Sequence, residues 1–140
     1  MSRYARNKLY RRFPYDIEGA FVTLDMSKIG QATPTPVLGK VDTGFRITIL
    51  SFPTANTLGI NDPRVNALDT IRIPTDTGQR IICHFHDLWL HINEVNGHLL
   101  RLQFRVGISP DIGNRTLFGL NCTSYFRLFF DADNVYLYRP

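Results

Sequence analysis

Residues 41–50 read Val-Asp-Thr-Gly-Phe-Arg-Ile-Thr-Ile-Leu. The apolar run Val37-Leu38-Gly39-Lys40-Val41 leads the chain into Asp42, and Thr48-Ile49-Leu50-Ser51-Phe52 carries it away. Both runs are rich in the β-branched and apolar types that favour strands. Asp42-Thr43-Gly44 therefore reads as a sharp turn at a strand end. The Thr43 hydroxyl is placed to hydrogen-bond and fix the carboxylate, and Gly44 lets the backbone approach a neighbour closely. The tripeptide by itself is also an ordinary turn with a solvated Asp. The chain contains a second copy, Asp76-Thr77-Gly78. Its flanks differ, because Thr70-Ile71-Arg72-Ile73 and Arg80-Ile81-Ile82-Cys83 make it the tip of a hairpin.

Outward from these two turns the pattern stays β. Phe21-Val22-Thr23-Leu24 is a strand candidate, and Gly30 to Pro36 is a loop. Pro53 to Leu58 fits one helical turn stopped by Gly59. His84 to Val95 and Leu99 to Val106 flank Asn96-Gly97, a strong short-range hairpin signal. Leu117-Phe118 is a short apolar run before Gly119, and residues 121–126 fit a helical turn. Phe129-Phe130 and Val135 to Tyr138 flank Asp131-Ala132-Asp133-Asn134 as a closing hairpin. The expected class is all-β, a barrel or sandwich of short strands.

Charge placement divides the chain. Residues 1–12 carry Arg3, Arg6, Lys8, Arg11 and Arg12 and no acid. The other 128 residues hold 11 Lys and Arg against 12 Asp and Glu, a net of −1, although the whole chain carries +4. Residues 1–15 thus read as a basic arm and residues 16–140 as one near-neutral domain. Nucleic-acid binding by that body has no electrostatic support; only the arm is suited to it. At 140 residues, with 44% hydrophobic and 20% charged residues, the composition is globular. No apolar run reaches the roughly 18 residues of a membrane span, and no signal-peptide core follows the basic start. Two cysteines make no disulfide scaffold, so a cytoplasmic location is expected.

The segment 41–50 resembles the active-site stretch of retropepsin-like aspartic proteases, in which an apolar residue precedes Asp-Thr/Ser-Gly and Thr/Ser-apolar-apolar follows three residues later. Thr48-Ile49-Leu50 keeps that register. Leu117-Phe118-Gly119-Leu120 is similar to the second hallmark of the family, two apolar residues and Gly before a short helix. Phe21 to Leu24 matches the strand before the catalytic one, and the hairpin around Asp76-Thr77-Gly78 sits where the family has its flap. The likeness spans about residues 17–138 and looks nearest to compact bacterial and archaeal members.

The resemblance implies a closed acid-protease barrel with a flap hairpin and one short helix near the C-terminus. It also implies an aspartic endopeptidase acting on polypeptides, with no metal and no organic cofactor. The catalytic residues would be Asp42, Thr43 and Gly44. The substrate would meet Phe45, Ile49, Ile73, Ile81 and Phe118, with Asp76, Thr77 and Gly78 closing over it. The family needs two such aspartates. Asp42 and Asp76 are too close in sequence to head two lobes, and only Leu117-Phe118-Gly119 supplies a second hallmark. A homodimer with one Asp42 per subunit follows. Phe45 replaces a small residue of the retroviral enzymes. Leu120-Asn121 follows Gly119 where a dimer-tying Arg is frequent, so this dimer must be held by other contacts. These departures support the alternative, an inactive barrel that keeps the fold for dimerisation or peptide binding.

Three further features have blander readings. His84 and His86 alternate on one strand face, but zinc usually takes three or four ligands and Cys83 points the other way. A nucleophilic Cys83 or Cys122 lacks any local signature. Trp89, between Leu88 and Leu90, reads as packing.

Overall fold

The computed structural model describes residues 9–15, 17–93 and 98–139. Among these described residues there are ten strands, arranged as two sheets, and two short helices. The strands are β1 (Leu9–Pro14), β2 (Phe21–Lys28), β3 (Thr35–Val41), β4 (Thr48–Ser51) and β5 (Asp69–Pro74). They continue as β6 (Arg80–Asn93), β7 (Leu99–Ser109), β8 (Leu117–Phe118), β9 (Arg127–Phe130) and β10 (Asn134–Tyr138). The helices are α1 (Phe52–Thr57) and α2 (Leu120–Thr123).

The larger sheet runs β2-β3-β8-β4-β7-β6-β5, and β2 also pairs with β6. That extra pairing closes a six-stranded barrel and leaves β5 projecting from β6. Strand β6 changes partner along its length. Arg80 to Phe85 pair with β5, whereas Leu88 to His91 pair with Lys28 to Asp25 of β2. One continuous 14-residue strand thus serves both the projecting hairpin and the barrel wall. The sequence reading broke it at His84, because nothing in the pattern marks a change of partner.

Period-two alternation sends Val22, Leu24 and Met26 of β2 into the barrel with Leu88, Leu90, Val106 and Ile108. Each such side chain contributes roughly 1.5–3 kcal/mol of burial. A second, smaller cluster of Ile49, Ile81, Cys83 and Phe85 lies under the β5–β6 hairpin. Helix α1 starts where the Ser51 hydroxyl accepts the Thr54 N–H at 3.3 Å, with Pro53 in its first turn.

Six residues of the segment set apart as an arm, Leu9–Pro14, form β1 and pair with β10. Strands β1, β10 and β9 make a separate three-stranded sheet. Arg11 docks it on the barrel, donating to Thr23 O at 2.5 Å and to Asp25 Oδ2 at 2.6 Å. The Arg11 charge is thus neutralised by Asp25 of β2. Arg3, Arg6, Lys8 and the Asn96-Gly97 turn lie outside the described residues. Among the described residues no helix is long and apolar enough to cross a membrane.

His91 of β6 is buried, with Nε2 2.7 Å from Ser27 Oγ and Nδ1 without a partner among the described residues. Burial, reinforced by Arg101, lowers its pKa below the ordinary 6.5. His84 is lowered in the same direction, by burial and then by Arg64. A depressed histidine makes the unfolded chain the better proton acceptor. Stability is therefore complete above about pH 6.5 and falls as the pH drops below it. Urea midpoints measured at pH 7.5 and pH 5 should fall on the acid side, and His91→Gln should lessen that fall. An acid-side loss undiminished in the variant would assign the effect to other groups.

Candidate active site

Asp42 follows the last residue of β3. Its N–H donates to Phe118 O at 3.0 Å, so β8 fixes the backbone at the point where the chain turns. Asp42 O accepts the Phe45 N–H at 3.2 Å, and Asp42 Oδ1 accepts the Gly44 N–H at 3.1 Å. Asp42 as a residue is half-buried and its carboxylate is oriented by its own turn, whereas Thr43 and Gly44 are exposed.

The second half of the loop is held by α2. Leu120 N–H donates to Phe45 O at 2.8 Å, and Asn121 N–H donates to Arg46 O at 3.0 Å. Gly119 is required here by space. A Cβ at this position would sit 2.4 Å from Ile47 O, far inside contact distance.

Asn121 joins three elements. Its Oδ1 accepts from Thr48 N and Thr48 Oγ1, each at 2.8 Å, and its Nδ2 donates to Arg105 O at 2.6 Å. Thr48 Oγ1 in turn accepts the Gly119 N–H at 3.2 Å. Removing this amide strands buried Thr48, which gives Asn121→Ala an expected cost of roughly 2–4 kcal/mol. Urea unfolding measures it, and a change under about 0.5 kcal/mol would show the amide to be dispensable.

Across from the loop stands the β5–β6 hairpin. Thr75 N–H donates to Gln79 O at 2.7 Å, Gly78 N–H donates to Thr75 O at 3.0 Å, and Gly78 takes φ +81°. Its base is tied down where the Ile82 N–H donates to Asp111 Oδ2 at 2.8 Å. Between loop and hairpin lies a cavity of about 300 Å³, lined by Phe45, Ile47 and Ile49 on one side and Ile73, Pro74 and Asp76 on the other.

A barrel of similar fold is found among solved structures. A retropepsin-like aspartic protease from Rickettsia conorii superposes with a TM-score of 0.60 at 16% identity, covering 91% of this chain and 98% of that one. The chain has a retropepsin-like fold. The retroviral protease-like domain of Ddi1 from Leishmania major is also similar, with a TM-score of 0.46, 16% identity, and coverage of 81% and 82%. No family model and no curated protein matches the sequence.

The cavity lies between the Asp42 turn and the β5–β6 hairpin. It brings together Gly44, Phe45, Ile49, Ile73 and Asp76 of the residues expected from sequence, and adds Arg46, Ile47 and Pro74. Phe45 points inward and packs against the cluster beneath the flap. Ile81 belongs to that buried cluster without lining the cavity, and Thr77 and Gly78 lie at the exposed flap tip.

Phe118 is a correction to the expected substrate contacts. It is fully buried in the main barrel core. Parallel pairing with Val41 turns its side chain toward Gly39, where a Cβ would come within 2.8 Å of the ring. Phe118 reaches the site only through its carbonyl.

The other candidate chemistries are dispersed. Nδ1 of His84 lies 3.0 Å from Thr70 Oγ1, whereas Nε2 of His86 donates to Pro63 O at 2.7 Å. Among the described residues no group of three or more His, Cys, Asp or Glu is placed to hold a metal. Burial pushes the Cys83 thiol up to about 11 and the Cys122 thiol up to about 12, so neither offers a thiolate at neutral pH. A larger concavity of about 510 Å³ lies between Lys28, loop 59–68 and His86, away from the Asp42 turn.

Proposed function

We propose that this chain is an aspartic endopeptidase that works as a homodimer, each subunit supplying one Asp42. The observation that carries the reading is the Asp42 turn, braced by β8 and α2, whose Gly44 and Phe45 line a mostly apolar cavity beneath a flap, within a retropepsin-like fold; Asp42 itself does not line that cavity.

Two carboxylates brought together cannot both ionise, so the pair shares one proton and titrates as a unit. The ionised member takes a proton from a water, and the water oxygen bonds to the scissile carbonyl carbon. The protonated member gives its proton to the carbonyl oxygen. Collapse of the tetrahedral species breaks the C–N bond, and the amine leaves with a proton returned by the dyad. An extended polypeptide suits the cleft, because its backbone can pair with the flap edges while its side chains alternate into pockets. Phe45, Ile47, Ile49 and Ile73 favour apolar side chains beside the cleaved bond. A cytoplasmic location is part of the same proposal.

One specific observation favours the competing reading, a barrel that binds peptide without cutting it. The Phe45 ring takes up space in the cleft. Digestion of a mixed peptide library between about pH 4 and pH 7, read by mass spectrometry, separates the two. An endopeptidase yields new internal termini, and its rate per chain falls on dilution because each site needs two chains. Peptides retained intact by a confirmed dimer would sink the enzyme reading.

A further inference from the structure

We infer that Asp111 is a positioning residue: its carboxylate latches the root of the β5–β6 hairpin and so sets how often the cavity beside the Asp42 turn is closed. The consequence for turnover rests on the peptidase reading; the latch itself does not.

Strand β6 loses a neighbour part-way along the hairpin. The β6–β7 ladder ends at His84 and Ile108, and Ser109 pairs instead with Ser51 of β4. Extending the same register would set Ile82 opposite Pro110, which has no N–H to give to a further rung. From Arg80 to Cys83 the strand is therefore paired with β5 alone. A two-stranded hairpin with no third strand is marginally stable by itself.

Asp111 supplies the missing rung from a side chain. Its Oδ2 accepts the Ile82 N–H at 2.8 Å. The residue is fixed in turn, because its own N–H donates to Oγ of buried Ser109 at 3.1 Å. Among the described residues no cation forms an ion pair with this carboxylate. Asp111 is exposed, so water competes for the bond and the latch can open and close again. It is a single charge-assisted hydrogen bond at the one place where the hairpin leaves the barrel.

The tie reaches the cavity through neighbouring residues. Ile81, next to Ile82, packs with Ile49, Cys83 and Phe85 in the cluster under the hairpin. It pairs with Ile73, which lines the cavity. Ile112, next to Asp111, packs against the same cluster. Freed at Ile82, the hairpin keeps its own pairing but no longer stands at a fixed distance from Phe45 and Ile49. The apparent affinity for a peptide then falls by the fraction of chains that are closed.

Amide hydrogen exchange reads the hairpin directly. Asp111→Ala should speed exchange over residues 71–82 by about tenfold and leave β2 and β4 unchanged. Asp111→Asn keeps a neutral acceptor for the Ile82 N–H and should recover much of the protection. Steady-state peptide cleavage gives a second readout. KM should rise about fivefold in Asp111→Ala with kcat within about twofold, the split expected when closure is altered and chemistry is not. The inference is overturned if hairpin exchange in Asp111→Ala matches wild type. It is overturned equally if β2 and β4 amides quicken to the same extent, which would make Asp111 a general stabiliser, or if kcat falls at unchanged KM. Faster hairpin exchange in a chain that cuts no peptide supports the latch and removes only the peptidase reading.

Discussion

Asp42→Asn is expected to leave the barrel folded and to lower peptide hydrolysis by at least about 10⁴-fold, near the upper range for acid–base groups. Asn keeps the size of the side chain and an acceptor for the Gly44 N–H, now at 3.1 Å from Oδ1. It cannot take a proton from water or return one. In a homodimer the substitution removes both members of the dyad, so no residual base remains. Mixing variant with wild type gives a sharper result. Subunit exchange should leave hybrids with a single carboxylate, and activity should fall faster than simple dilution predicts. Asp76→Asn is the matched control. Asp76 lies at the rim of the cavity on the flap, where no second apolar-apolar-Gly element braces it, and this variant should keep most of the activity. Loss of cleavage in Asp76→Asn with retention in Asp42→Asn would reverse the assignment.

Gly119→Ala should be the most damaging single methyl that can be added near the site. The new carbon would lie 2.4 Å from Ile47 O, 2.5 Å from Ile47 C and 2.9 Å from Ile47 N. These are backbone atoms, so no side-chain rotation relieves the clash. Either α2 or the loop must move, which breaks the bonds from Leu120 and Asn121 to Phe45 O and Arg46 O. A cost of about 3 kcal/mol, at the upper end of overpacking, is expected. In a chain of this size it should lower the melting temperature by roughly 10 °C. Calorimetry gives the shift, and a peptide assay below the new transition should show activity lost along with stability. A variant that melts within about 2 °C of wild type would show that the loop and α2 are not in the tight contact described.

The elements legible in the sequence were those whose pattern is local. Alternation marked β2, β3 and the flap, Pro53 and Gly59 bracketed α1, and the closing hairpin announced itself through its acidic turn. The Asp42 turn and its Gly119 counterpart were legible because their spacing is specific. What escaped was set by distant partners. Strand β1 looks like a charged arm until Asp25, 14 residues on, takes up Arg11. The inward turn of Phe118 depends on its parallel neighbour Val41. Asn121 has no sequence signal for its role, because the Thr48 amide it satisfies is 73 residues away. Pro74 and Ile47 join the cavity wall only once the flap has folded over the loop.

The pairing of first elements with last bears on when this protein becomes competent. Leu9 pairs with Tyr138, Val41 with Phe118, and Thr48 with Val106. Contacts this remote in sequence form slowly, since a long loop must close before any of them is rewarded. During synthesis Asp42 leaves the ribosome long before Phe118, whose carbonyl holds its backbone in place. A shortened chain ending before β8 would carry the complete Asp-Thr-Gly motif and lack its bracing. The topology thus acts as a timer: the nascent chain presents the Asp42 carboxylate early and gains its bracing only after Phe118 has been made.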